Sequence, residues 1–192
     1  MKNTPYIIKV AEAMKFVDER HGNQMYGGYP YFFHLLQVRE VAREFGLSED
    51  VELACLLHDV LEDTATSYND VKDLFGARVA EIVYLLTDHK GRNRHERHVL
   101  TYPEIAKDID AVAAKFCDYI ANRRFSLASR NYKKVKMYYD EYDFFMSHFI
   151  GIDKSSARIS EMYLEIYRIH QEAEKQLPGL YEEWRRKNMR GV

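Results

Sequence analysis

No stretch of this chain comes near the roughly 18 or more consecutive apolar residues that a membrane span needs. The opening Met1-Lys2-Asn3-Thr4-Pro5 lacks the apolar core of a secretory signal. Cysteine is scarce: Cys55 and Cys117 are the only two, and their separation fits neither a metal motif nor a redox pair. Both fall in apolar helical patterns, so they are expected as small core residues in a reducing, cytoplasmic setting. An excess of one charge is also missing. Lys and Arg number 28 against 30 Asp and Glu, well mixed along the chain, for a net charge of −2. That balance excludes the basic footprint of a nucleic-acid binder. No run alternates with a period of two between hairpin turns, no repeat recurs, and no low-complexity linker divides the chain.

What is present is helical periodicity. The 192 residues suit one domain with a sizeable core. Thr4-Pro5 reads as a cap with proline in the first turn. Ile7, Val10, Ala11, Met14 and Val17 then repeat at helical spacing up to His21-Gly22. Gly22 to Tyr29 reads as a loop. A second helix opens at Pro30 and closes at Gly46. A third starts at the Ser48 cap and runs to about Thr64. Short helices are expected over Ser67 to Phe75 and over Ala77 to Leu86. His89 to His98 is a basic, exposed loop entering a helix, and Tyr102-Pro103 marks a boundary. Ile109 to about Arg123, Arg130 to Ile150, Ser155 to about Lys175 and Leu177 to Arg186 complete the set. The expectation is an all-α single domain, residues 1–192, of roughly eight to ten helices.

The stretch that organises the rest is Ala54-Cys55-Leu56-Leu57-His58-Asp59-Val60-Leu61-Glu62-Asp63-Thr64. The flanking leucines place His58 and Asp59 in the interior. An imidazole and a carboxylate taken out of water are costly unless paired or bound to metal. Glu62 is four residues from His58 and three from Asp59, and Asp63 is four from Asp59. On a helix these spacings share a face. A core histidine paired with Asp59, with Glu62 and Asp63 solvated, explains the stretch alone equally well. Two further groups weigh on that choice. His34 lies among Phe32, Phe33, Leu35 and Leu36, and Asp118 sits inside an apolar helix between Ala113 and Ile120. One divalent ion can satisfy all four. Two imidazoles and two carboxylates suit Mn2+, Fe2+ or Zn2+.

These residues resemble a known signature. His34, His58-Asp59 and Asp118 are similar to the H…HD…D pattern of the HD superfamily of metal-dependent phosphohydrolases. The likeness extends to its RelA/SpoT-type alarmone hydrolase branch. His21-x-x-Gln24 with Pro30-Tyr31-x-x-His34, the 54–64 stretch, Phe75-Gly76-x-x-Val79-Ala80 and Lys115-x-x-Asp118-x-x-x-Asn122-x-Arg124 each resemble segments of that branch. The resemblance covers about residues 5–150, leaving C-terminal helices over about 151–192, and implies an HD-type helical bundle. The chain ends before a synthetase domain, so a stand-alone small hydrolase is expected.

The resemblance implies a (p)ppGpp substrate, hydrolysed to GDP or GTP and pyrophosphate with Mn2+ as cofactor. His34, His58, Asp59 and Asp118 map onto its metal ligands, and Glu62 and Asp63 onto its catalytic acids. Asn122 maps onto a residue near the substrate ribose or phosphate. Arg97 and Lys115, with Arg92 and Arg94, are the cations available to meet phosphate. The partner is then a small-molecule nucleotide, with no nucleic acid, no membrane and the oligomeric state open. One departure stands out. Where the branch carries a basic pair after Gln24, this chain has Met25 and Tyr26. Tyr26 can stack on a base but brings no charge. An HD phosphohydrolase acting on another nucleotide, such as the 2′-phosphate of NADPH, is therefore a second expectation. A non-catalytic nucleotide-binding module is a third.

Overall fold

The computed structural model describes residues 5–152 and 156–188. The Thr4 cap and the Ser155 helix start expected above lie outside those residues. Among the described residues the architecture is all-α with one minute hairpin, which bears out the expected class. No helix among them is long and apolar enough to cross a membrane.

The chain divides into two compact units, Met1–Asp118 and Tyr119–Val192. In the first, α1 (Tyr6–His21) leads into β1 (Met25–Tyr26) and β2 (Tyr29–Pro30), then α2 (Tyr31–Glu44). The stretch read as a loop thus holds an antiparallel pair, Tyr26 opposite Tyr29. Its tip is Gly27-Gly28, with φ of 55° and 88°. Only glycine takes two such values in succession at low cost, and that two-residue turn suits the strand twist.

α3 (Glu49–Leu57) starts where Ser48 Oγ accepts the Val51 N–H at 3.3 Å. Glu49, Asp50 and Glu52 favour the positive end of the helix dipole in its first turn. Val51 and Leu53 to Leu57 are all buried, and α3 packs against α1, α2 and α6. The helix does not continue to Thr64. It stops at Leu57, and a separate single turn, α4 (Val60–Asp63), follows. The reason is local. His58 Nδ1 donates to the Cys55 carbonyl at 2.9 Å, and Asp59, at φ −101° and ψ 0°, lies at the edge of the helical region. A side chain that claims a nearby carbonyl competes with the helical ladder.

α5 (Tyr68–Phe75) begins with a reciprocal capping box between Ser67 and Asp70. α6 (Ala77–Leu86) follows Gly76, and α7 spans Arg94–Ile105. Pro103 lies inside α7 rather than at its boundary. Tyr102 and Ile105 are both buried, and that packing offsets the one backbone bond proline cannot make. Arg78 forks onto Asp108 at 2.6 and 2.7 Å, fixing the start of α8 (Ile109–Ala128). The division between units falls inside α8.

The second unit continues with α9 (Tyr132–Asp140), α10 (Tyr142–Phe149), α11 (Ala157–Gln176) and α12 (Leu180–Asn188). The single helix expected over Arg130 to Ile150 is two, joined at Glu141, with Asn131 capping the first. An aromatic core lies among these helices. Tyr119 stacks on Phe145 at 3.7 Å, and Phe149, Ile159, Met162 and Ile166 are buried. The buried Arg123 donates to the Tyr119 hydroxyl at 2.8 Å.

Candidate metal centre

Three elements of the first unit supply the site. Pro30 sets the start of α2 with φ −53°, and the helix carries Tyr31 and His34 on one face. The α3–α4 break carries His58 and Asp59. The last residue of the unit on α8 is Asp118. His34, His58 and Asp59 each offer a donor atom within 4.8 Å of the others. Asp118 Oδ1 lies 3.4 Å from His34 Nε2 and 3.7 Å from His58 Nε2, and Asp59 Oδ2 lies 2.9 Å from His58 Nε2. All four side chains are at least largely buried: His34 is 3% exposed, His58 5%, Asp118 15% and Asp59 22%.

The electrostatics match that crowding. Burial alone pushes the His58 imidazole down. Asp59 beside it, with Asp118 beyond, overcomes this and raises it to about 10. Asp59 shows the mirror effect: burial raises it, but His58 holds it at about 2. Burial likewise raises Asp118, while Lys115, His34 and His58 bring it well below the usual carboxylate range. In the ion-free chain, then, a proton on His58 supplies the positive charge this donor set attracts. A divalent cation fits the same place. His58 Nδ1 is occupied by the Cys55 carbonyl, which leaves Nε2 facing Asp59 and Asp118, the arrangement in which a histidine can offer that nitrogen to a metal.

The acids following the pair diverge. Asp63 accepts from Gln24 Nε2 at 2.8 Å, and Gln24 Oε1 in turn faces His21 Nδ1 at 2.8 Å. Glu62 accepts the Asp88 N–H at 3.2 Å and Arg97 Nη1 at 3.3 Å. Burial raises the Glu62 carboxyl above its ordinary value. Asp88 also faces Arg97 and His98, each at 3.7 Å.

The residues expected to touch substrate are placed unevenly. Tyr26 stacks on the His34 ring at 4.5 Å, so one face of it is already covered. Lys115 is largely buried and paired with Asp118 Oδ2 at 3.2 Å, which makes it the neutralising partner of that carboxylate. Arg97 is 35% exposed and held by Glu62. Asn122 lies one turn past Asp118 on α8, in the second unit. Arg124 pairs with Glu165 at 2.9 Å. Sequence reasoning assigned no role to Tyr31, Gln24 or His21. Tyr31 donates a hydrogen bond to Asp59 Oδ2 and stacks on His21 at 4.8 Å. The i, i+3 spacing of Tyr31 and His34 was the available signal.

In this helical bundle, imidazoles and carboxylates converge between helices as a donor set of the kind that can hold a divalent metal. A family model for the HD domain matches residues 13–134, more than half of the sequence. The chain belongs to the HD domain family, whose fold binds a divalent metal. It is 40% identical over 91 residues to the guanosine-3′,5′-bis(diphosphate) 3′-pyrophosphohydrolase MESH1 of Danio rerio, covering 45% of this chain and 51% of that one. The guanosine-3′,5′-bis(diphosphate) 3′-pyrophosphohydrolase of Aquifex aeolicus is 29% identical over 151 residues, 75% of this chain and 22% of that one. The chain thus spans between about a fifth and a half of these relatives. A solved structure of a metazoan ortholog of SpoT, described as hydrolysing ppGpp and acting in starvation responses, matches with a TM-score of 0.70. That match is at 25% identity and covers 85% of this chain and 94% of that one.

Proposed function

We propose that the chain is a metal-dependent guanosine-3′,5′-bis(diphosphate) 3′-pyrophosphohydrolase that cleaves (p)ppGpp to GDP or GTP and pyrophosphate. The observation that carries the reading is the convergence of His34, His58, Asp59 and Asp118, one turn before Glu62 and Asp63. The relatives named for this reaction support the substrate. We read the chain as one HD hydrolase domain, because the family match runs across the boundary between the two units.

In this reading His34, His58, Asp59 and Asp118 hold the ion, and Mn2+ suits two imidazoles with two carboxylates, as do Fe2+ and Zn2+. When bound, such an ion makes a water more acidic and polarises a phosphoryl oxygen. Glu62 is the proton acceptor: its burial brings it closer to neutrality, which favours general-base work. Asp63, held by Gln24, orients the water. Arg97 stands beside Glu62 and offers its guanidinium to the departing pyrophosphate. Lys115 offsets the charge of Asp118. Tyr26 flanks the ion through His34, and Asn122 serves the sugar–phosphate end.

A second reading, an HD phosphohydrolase for another nucleotide such as NADPH, is favoured by one observation. The hairpin segment 22–30, which places Tyr26 on His34, contains no lysine or arginine. A panel of ppGpp, pppGpp, ppApp and NADPH with Mn2+, scored for phosphate and pyrophosphate, separates the two. Pyrophosphate from ppGpp is the expected product. Phosphate from NADPH alone favours the second reading, and turnover of nothing counts against an enzyme.

A further inference from the structure

We infer that Tyr31 is a positioning residue of the metal centre, holding Asp59 in its ligating orientation through the phenol. The inference rests on the metal reading above and adds a residue to it. Three of the ligand-type groups are each tied by a partner from outside the set. His58 is tied by the Cys55 carbonyl, Asp118 by Lys115 and Asp59 by Tyr31. The Tyr31 bond is distinctive because it crosses from α2 to the α3–α4 break. Asp59 stands there as the N-terminal cap of α4 and makes no side-chain capping bond to that turn, so its carboxylate is held by groups from elsewhere.

The phenol is itself held on several sides. Its ring stacks on the buried His21 at 4.8 Å and meets His34 edge-on at 5.6 Å. The Tyr31 backbone N–H donates to the Gln24 carbonyl at 2.9 Å. A ring fixed at its face, its edge and its backbone delivers the hydroxyl to one point, Asp59 Oδ2. Tyr31 and His34 are three residues apart, so one turn of α2 supplies both a ligand and the brace for another ligand.

Tyr31→Phe keeps the ring and its stacking and removes only the hydroxyl. Calorimetric titration of chelator-treated protein with Mn2+ should then show affinity weakened about 10- to 100-fold, the usual cost of losing a partner behind a ligand. The ion-free melting temperature should stay close to wild type, and turnover should recover at high Mn2+. A purely structural role predicts the reverse, a lower melting temperature with Mn2+ affinity intact. Wild-type affinity in Tyr31→Phe overturns the inference. If that variant does not fold, His21→Leu, which frees the phenol from its stack, carries the test: weakened Mn2+ binding supports the inference and unchanged binding contradicts it. Failure of the wild-type chain itself to bind Mn2+ sinks the metal reading instead, so the two failures are told apart.

Discussion

Asp59→Asn should abolish turnover while leaving the helical content intact. Asparagine matches aspartate in shape, so the α3–α4 break keeps its packing: Leu57 and Val60 on either side stay buried. What is lost is a full negative charge from a donor set in which Asp59 is held ionised, at about 2, by the His58 imidazole. Replacing a ligand costs more than replacing a partner behind one, so kcat/KM should fall by more than about a hundredfold. Bound metal should fall with it. Circular dichroism together with a pyrophosphate-release assay checks both halves. A variant with wild-type turnover would remove Asp59 from the ligand set, and an unfolded one would show that the His58–Asp59 pair is chiefly structural.

The second large effect is on pH. In the ion-free chain burial lowers His58, but Asp59 and Asp118 raise it to about 10. Its imidazole therefore carries a proton throughout the neutral range. A divalent ion must displace that proton, so below about 10 the proton competes and apparent affinity falls as pH falls. One proton released per ion bound means about a tenfold loss for each pH unit, or about a hundredfold between pH 8.5 and 6.5. An ordinary histidine would give little dependence above about pH 6.5. Titrating Mn2+ at several pH values distinguishes these cases. Flat affinity across the window would mean that His58 is neutral before the ion arrives.

Much of the helical framework could be read in advance. Ser48 caps the helix that its hydroxyl and the acids behind it announce, and Ser67 opens the short helix expected from it. His34 and Asp118 stood out because ionisable groups in apolar helices need partners, and both lie beside His58. The break at His58 was hidden for a physical reason. Leu53 to Leu57, Val60 and Leu61 keep an apolar pattern straight across it, while the Cys55 carbonyl bond that ends α3 has no period. The hairpin strands are too short to alternate, although Gly27-Gly28 marked their turn. Pro103 was read by propensity and overruled by the burial of Tyr102 and Ile105. Lys115 was expected among the cations available to phosphate, and its i, i+3 pairing with Asp118 could be seen only once the helix was in place. Tyr31 needed tertiary contact: its phenol meets Asp59 across 28 positions of sequence.

The central claim is that one cation sits among His34, His58, Asp59 and Asp118. Elemental analysis of the purified wild-type chain, before and after dialysis against Mn2+, tests it most directly. Close to one tightly retained divalent ion per chain is expected, removable by a chelator and restored on adding Mn2+. A chain that stays metal-free through that dialysis would contradict it.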